Sequence, residues 1–465
     1  MNDIMKEMGP IPNIFMDQLE AKLRQQERDL STLSAEKQFE LIASKVADHP
    51  EAITPMPDEG SNELLQRLKE AKESGKPLVV KLGVDPTGPD MHLGHAVPIL
   101  MLRRFQQMGH KIQFVVGDFT AKIGDPSGRL RERSSLTDEQ IQDNMKSYFE
   151  QAGLILDLSK KANVETVYNS EWLNKLSMQE WIPLLQKVSA SQMFQREDFQ
   201  QRLNAGGSIS MAELMYALFM AYDSIVLEPD IEMGGMDQFL NLHWCRELMR
   251  LKGQKSEMFI VTDLLAGTSG EIDTEGRLAK MSKSKGNYIA ITEEPKEMYG
   301  KVMSIPDEVM WTWYRELTEI SPGELEDLKT RVERGEIHPM EAKRMLARAI
   351  VATFNGYEER IVSEAERAFN RKFGKEKNLI PDDIETIEAK AGTKIIDILS
   401  KTSGESKSNL RRMVSTSKVG GVRVLEENRY RTLNLEELTE LQLEAESEIV
   451  VRVGKRRYYR IISKK

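Results

Sequence analysis

Two histidines three residues apart, His92 and His95, end the run Gly83-Val84-Asp85-Pro86-Thr87-Gly88-Pro89-Asp90-Met91-His92-Leu93-Gly94-His95, in which turn-forming residues join an apolar stretch to a helical one. At that spacing on a helix start both imidazoles face one side, beside exposed backbone amides and the positive end of the helix dipole. The combination suits an anion, and Gly94 lets a flat ligand approach the main chain. Alone, such a pair is more often structural or part of a metal site, although a metal would lack a third ligand nearby. Far downstream, a polar stretch at 266–278 runs into Lys280-Met281-Ser282-Lys283-Ser284-Lys285-Gly286-Asn287. Lysines this close read alone as a solvated face. Paired with the histidines they suit a triphosphate: attack on the α-phosphate of ATP builds charge on the phosphoryl oxygens and the leaving pyrophosphate, and ammonium groups stabilise it.

These residues need elements to hold them. Residues 77–84 (PLVVKLGV) form a short β-branched run, followed by a loop, a helix over 95–107 stopped by Gly109, and a strand at 112–116, which makes a βαβ unit. Alternation continues with a helix after Thr137, a strand near 164–168, helices through Lys187 and from Met211, a strand ending at Gly234 and a helix from Asp237. The pattern predicts a parallel sheet with helices on both faces and ligands at the strands' C-terminal ends. Upstream, 15–48 and 62–74 carry helical periodicity around a Pro-containing connection at 49–59. From 295 to 373 the pattern is almost wholly helical; 374–383 reads as a linker. Beyond it lie a basic helix (406–414), a Gly-Gly turn and short alternating strands.

A chain of 465 residues exceeds what one core usually organises, and 40% hydrophobic with 30% charged residues is an ordinary globular balance. A net charge of −9 excludes a uniformly cationic surface but leaves room for one basic face. The single cysteine, Cys245, cannot form an internal disulfide, and no cluster has zinc spacing. With no signal-like leader and no membrane-length apolar run, the expectation is a soluble cytoplasmic protein with no membrane partner and no protein-bound metal.

The pair His92-Leu93-Gly94-His95 and Lys280-Met281-Ser282-Lys283-Ser284, in that order on a βαβ start, resembles the two signatures of class I aminoacyl-tRNA synthetases. Gly83-x-Asp85-Pro86-Thr87, Gly117-Asp118-Phe119-Thr120, Ile123-Gly124-Asp125-Pro126-Ser127-Gly128, Tyr168-Asn169-x-x-Trp172, Tyr222-Asp223 and Gly234-Gly235-x-Asp237-Gln238 narrow it to the tyrosyl-tRNA synthetases of bacterial type. The resemblance covers most of residues 77–290. It implies a Rossmann-like doubly wound parallel α/β catalytic domain at 76–294 with ATP and tyrosine sites. A helical N-terminal extension at 1–75 would precede it. An α-helical tRNA-contacting domain at 295–383 and a small S4-like α+β RNA-binding domain at 384–465 would follow.

The family's roles fall on matching positions. His92, His95, Thr120, Lys280, Lys283 and Ser284, with Arg129 and Arg133, stand where transition-state and pyrophosphate contacts are made. Gly83, Asp85, Gly94, Gly235, Asp237 and Lys283 resemble the ATP contacts. Asp223 looks like the acceptor of the substrate phenol's hydrogen bond, a group that an analogue lacking the hydroxyl would leave unpaired. Asp125 and Tyr216 are similar to the holders of the α-ammonium, and Gln238 to the residue that orients the carboxylate. Lys81, Asn169 and Met220 complete the implied pocket. Lys81 replaces a tyrosine of some members, Met220 a glutamine, and Met236 a serine or threonine before Asp237. A methionine at 220 removes a hydrogen-bonding amide, which keeps open a paralogue acting on a tyrosine analogue or a non-catalytic RNA-binding paralogue. In the tail, Lys407, Arg411, Arg412, Arg423, Lys455, Arg456 and Arg457 resemble RNA contacts. The implied partners are ATP with Mg²⁺, L-tyrosine, tRNA(Tyr) and a second copy of the chain in a homodimer.

Overall fold

The computed structural model describes residues 14–23, 29–55, 62–127, 136–159, 163–272, 276–373, 384–415, 421–426, 429–445, 447–454 and 457–464. The chain divides into two compact units, Met1–Val362 and Ser363–Lys465.

The first unit is built on a six-stranded sheet of β1 (Ile53–Thr54), β2 (Val79–Val84), β3 (Lys111–Val116), β4 (Val164–Tyr168), β5 (Ile231–Gly235) and β6 (Met258–Thr262), in the order β1-β6-β5-β2-β3-β4. Strands β2 to β6 are parallel; β1 runs antiparallel to β6, with Ile53 opposite Ile260. Val80, Leu82, Ile112, Phe114, Phe259, Ile260 and Val261 are buried. Strands covered on both faces read as continuous apolar runs, which is why β2 and β3 were visible in the sequence. Chain order reverses across β2, which lies between β3 and β5, so the crevice beyond the C-terminal ends of β2, β3 and β5 is the sheet's switch point.

The helix after β2 spans Leu93–Gln107, two residues earlier than its pattern suggested, because His92 is its N-cap. Gly109, at φ 88°, ends the turn after it as expected. Strand β6 was not anticipated, and neither was β1, which falls within the connection expected at 49–59. The helical reading of 15–48 resolves into Ile14–Leu23 and Ala35–Ala43, the second started by a Ser34 cap. Just past it, the buried Lys45 donates from Nζ to the carbonyls of Arg315 (2.8 Å), Thr318 (3.0 Å) and Ile320 (2.7 Å). These lie at the C-terminal end of the helix Asp307–Leu317, where carbonyls lack intrahelical partners. The all-helical expectation for 295–373 matches Pro295–Ser304, Asp307–Leu317, Pro322–Glu333, Pro339–Phe354 and Glu359–Phe373.

In the second unit, β7 (Glu385–Lys390), β8 (Val422–Glu426), β9 (Arg429–Thr432), β10 (Glu448–Val453) and β11 (Arg457–Lys464) form a sheet in the order β7-β11-β10-β8-β9. Helices Ile395–Thr402, Lys407–Ser415 and Leu435–Glu440 share with it a core that includes Leu399, Leu410, Val422, Val451 and Ile461. The expected linker at 374–383 lies outside the described residues.

Candidate active site

The histidine pair is set by its own backbone. His92 Nδ1 accepts from the Gly94 amide (3.1 Å), and the His92 amide donates to His95 Nδ1 (3.2 Å), so the two rings close a reciprocal cap. They stack with centroids 3.8 Å apart. Because both Nδ1 atoms accept, each neutral ring carries its proton on Nε2 and offers it as a donor. Burial first, then the neighbouring His95, Lys283 and Lys280, pushes His92 down to about 3; burial, Lys283 and Lys280 push His95 down to about 4. At neutral pH these are uncharged N–H donors beside two ammonium groups. A Cβ on Gly94 would stand 3.0 Å from the His92 ring and 3.7 Å from Met281 Cβ, so this glycine makes room for the imidazole and the lysine loop.

Backbone pairing brings the distant loop here. The Leu93 amide donates to Ile289 O (3.0 Å) and the Ile291 amide to Met91 O (3.1 Å). Lys283 Nζ donates to the Asp90 carbonyl (2.5 Å), in the loop after β2, and Lys280 Nζ to Asp237 Oδ2 (3.2 Å), just beyond β5. Each lysine therefore reaches a different wall of the switch-point crevice. The loop is closed by Asn287, whose part the sequence does not disclose because its partners are backbone atoms several residues away. Its Nδ2 donates to Lys280 O (3.3 Å), its Oδ1 accepts from the Ser282 amide (2.8 Å), and a Cβ on Gly267 would lie only 2.1 Å from Nδ2. Ser284 is exposed, its hydroxyl 2.9 Å from that of Ser282. Arg129 and Arg133 lie outside the described residues.

Next to this cleft is a connected polar pocket. Asp223, at the far end, accepts from Trp172 Nε1 (2.7 Å) and Asn169 Nδ2 (3.2 Å). Asn169 Oδ1 takes the Phe119 amide (3.0 Å), which fixes its amide, and its Nδ2 also donates to Thr120 Oγ1 (3.1 Å). Thr120 donates in turn to Asp85 Oδ1 (2.7 Å), and the Tyr216 hydroxyl to Asp85 Oδ2 (2.8 Å). Thr120 and Asp85 thus brace the pocket from β3 and β2. A Cβ on Gly117 would sit 2.0 Å from Asp85 Oδ1 and 2.3 Å from Thr120 Oγ1, so only glycine leaves space for that bond. At Gly83 a Cβ would meet nothing within 4 Å, open backbone of the kind a ligand can approach; at Gly235 it would meet Asp237 Oδ1 at 2.9 Å. Burial, then the carboxylates of Asp85 and Asp125, keeps the Tyr216 phenol protonated. Gln238 donates to Asp125 Oδ2 (2.6 Å).

Lys81 points beneath the pocket: its buried Nζ lies 2.9 Å from Glu232 Oε1 and donates to Ser224 Oγ (2.6 Å). Burial opposes its charge, but Glu232 and Glu257 keep it protonated. Glu232, Cys245 and Glu257 have metal-like spacing, and Lys81 already supplies a cation there. Met220 and Met236 pack against one apolar cluster of Ala47, Ala52, Leu242, Phe259 and Val261. These two of the three departures noted in the sequence thus make packing contacts with the segment leading into β1.

In the second unit the expected RNA contacts do not share one face. Arg411 and Arg412 are exposed on the helix Lys407–Ser415, Lys407 pairs with Asp397 (2.6 Å), and Arg457 pairs with Glu405. Arg423 lies between core residues Val422 and Val424, so it faces the opposite side of the sheet, opposite Arg452 in register. Lys455 and Arg456 lie outside the described residues.

A doubly wound sheet with paired donors and a lysine loop at its switch point defines a nucleotide-handling class I synthetase site. The chain belongs to the family of class I tRNA synthetases (W and Y), whose family model matches residues 72–374. Its relatives include the tyrosine--tRNA ligase of Aquifex aeolicus, 40% identical over 405 residues, covering 86% of this chain and 94% of the relative. That of Desulfotalea psychrophila is 37% identical over 434 residues, covering 92% of this chain and 98% of the relative. Among solved structures, a C-terminally truncated mitochondrial tyrosyl-tRNA synthetase of Aspergillus nidulans matches with TM-score 0.57 at 19% identity, covering 77% of this chain and 100% of that one. The tyrosyl-tRNA synthetase of Archaeoglobus fulgidus complexed with L-tyrosine gives TM-score 0.52 at 19% identity, over 72% and 99%. At such identities the structural likeness is one of fold.

Proposed function

We infer that the chain is a tyrosine--tRNA ligase, which activates L-tyrosine with ATP to tyrosyl-adenylate and transfers it to the 3′ end of tRNA(Tyr). The observation that carries this reading is the convergence of His92, His95, Lys280 and Lys283 on one crevice beside a buried carboxylate, Asp223. The first step needs no general base, because the amino-acid carboxylate is ionised at neutral pH. Catalysis is then alignment and charge stabilisation. The Nε2–H groups of His92 and His95 donate to phosphoryl oxygens, Lys280 and Lys283 follow charge onto the departing pyrophosphate, and Mg²⁺ enters as part of the ATP substrate. Asp223 takes the phenol, Asp125 and Tyr216 the α-ammonium, and Gln238 the carboxylate. The bond from Gln238 to Asp125 sets the proposed carboxylate and ammonium contacts side by side.

Residues 76–294 carry the chemistry in this reading, 295–383 meet the tRNA, and 384–465 act as an S4-like RNA-binding module through the exposed Arg411 and Arg412. A homodimer and a cytoplasmic setting complete the proposal. Among the described residues, no helix is long and apolar enough to cross a membrane. Pyrophosphate exchange into ATP, measured across a panel of amino acids, tests the central claim. Tyrosine is expected to support exchange far above phenylalanine and tryptophan, and no preference for tyrosine would end it.

A further inference from the structure

Behind Asp125 lies a guanidinium that no role above uses. Arg196, the residue before the helix Glu197–Asn204, is buried and held by Asp198 through Nε (3.2 Å) and Nη2 (2.9 Å), with its Cζ 4.7 Å from the centroid of the Phe199 ring. Its Nη1 donates to Asn241 Oδ1 (2.8 Å) and its Nη2 to Ser127 Oγ (3.0 Å). Asn241, fully buried, donates from Nδ2 to Gln238 Oε1 (2.9 Å) and Ser127 Oγ (3.3 Å). Gln238 then donates from Nε2 to Asp125 Oδ2 (2.6 Å), while the Ser127 amide donates to Asp125 Oδ1 (3.0 Å).

The direction of this chain is forced. A guanidinium only donates, so Asn241 must present its oxygen to Arg196 and its NH₂ to Gln238. Gln238 must then accept from Asn241 and turn its own NH₂ towards Asp125, an ionised group that only accepts. Without the guanidinium Asn241 is free to flip and present its oxygen to Gln238 Oε1, which sets two acceptors against each other and pushes Gln238 away from its place beside Asp125.

We propose that Arg196 is a positioning residue that fixes the orientation of Asn241 and Gln238 and thereby presents Asp125 to the α-ammonium of the amino acid. It rests on the reading above that Asp125 receives that ammonium. Arg196 touches no substrate; its effect passes through two amides and a serine.

The experiment compares tyrosine with 3-(4-hydroxyphenyl)propionate, which lacks the ammonium, as a competitive inhibitor of pyrophosphate exchange in the full-length protein. The variant Arg196→Met with Asp198→Asn removes the buried pair together and leaves no lone charge. KM for tyrosine is expected to rise roughly tenfold, while the inhibition constant of the propionate and KM for ATP stay unchanged. Arg196→Lys, which keeps the charge but loses the planar fork, should fall between. Asn241→Asp keeps the acceptor for Arg196 and removes the donor to Gln238. It is expected to reproduce the selective loss, so the decision does not depend on the double variant folding. Equal losses for tyrosine and the propionate would reduce Arg196 to a structural role and overturn the proposal, and so would no loss for either compound. If the unaltered enzyme binds both compounds alike, the ammonium assignment of Asp125 fails first, a result separate from either of these.

Discussion

Asp223 is pushed up to about 7 by burial, although Lys81, Trp172 and Asn169 pull the other way. In the free enzyme it gains a proton as pH falls through 7, and a phenol donates only to the ionised form. Tyrosine and the proton therefore compete. The value of kcat/KM for tyrosine is expected to fall below pH about 7, by roughly tenfold per pH unit, while kcat at saturating tyrosine stays level over the same range. His92 and His95 cannot cause that limb, since they stay neutral down to about 3 and about 4. Folding stability should carry the opposite slope from this group. The folded carboxyl keeps its proton beyond the ordinary 3.8, so its contribution is full below that value and fades as pH rises through about 7. A pH profile of exchange checks this, and a limb that survives in Asp223→Asn would contradict it. At this scale the histidines and both lysines were singled out by local motifs, and Asp223 by the family resemblance alone. Arg196, Asn241 and the downward turn of Lys81 were not. Their partners lie far off in sequence, and Arg196 in Gln195-Arg196-Glu197-Asp198-Phe199 looks like an ordinary surface charge.

Among elements, the loop that carries Lys280 and Lys283 depends on a clasp. Asn287 ties both ends of the turn, and Gly267 leaves the space it needs. The base is held from outside by the buried Trp313, whose Nε1 donates to Ala266 O (3.0 Å). Replacing Asn287 with alanine should leave the lysines present but badly aimed. Exchange turnover is expected to drop roughly 10- to 100-fold and KM for ATP to rise, with KM for tyrosine unchanged. Steady-state kinetics against each substrate decides the matter; a tyrosine defect of equal size would mean the loop also shapes the amino-acid pocket. Strands β2 and β3 were legible because buried strands make dense apolar runs. Strand β6 (MFIVT) is equally apolar, but it follows the helix Phe239–Leu251 with only a brief break. The N-terminal pattern hid a break at Ser34, since one periodicity can run on across two helices.

For the whole molecule, the boundary between compact units falls at Val362 and Ser363, within the helix Glu359–Phe373. The sequence placed a change of character later, around 383, because the helical pattern persists to 373 and only then gives way to linker-like residues. A chain ending at residue 373 keeps every group assigned to adenylate formation. It is expected to retain tyrosine-dependent exchange within about twofold and lose most transfer to tRNA, as phosphate contacts dominate RNA affinity. Parallel exchange and charging assays measure both, and full charging by the shortened chain would remove the tail from the RNA side.

The two-residue strand β1 lies along β6 at the margin of the catalytic sheet, with Ile53 and Thr54 facing Ile260 and Phe259. Besides tying the leading segment down, it occupies amides and carbonyls that would otherwise face outward as a template for any passing extended chain. None of the groups assigned to the chemistry lies before residue 56, and β1 leaves less of the β6 edge open to such pairing. A protein trimmed of residues 1–55 is expected to be lost from solution through pairing at the bared β6 edge, which light scattering would register.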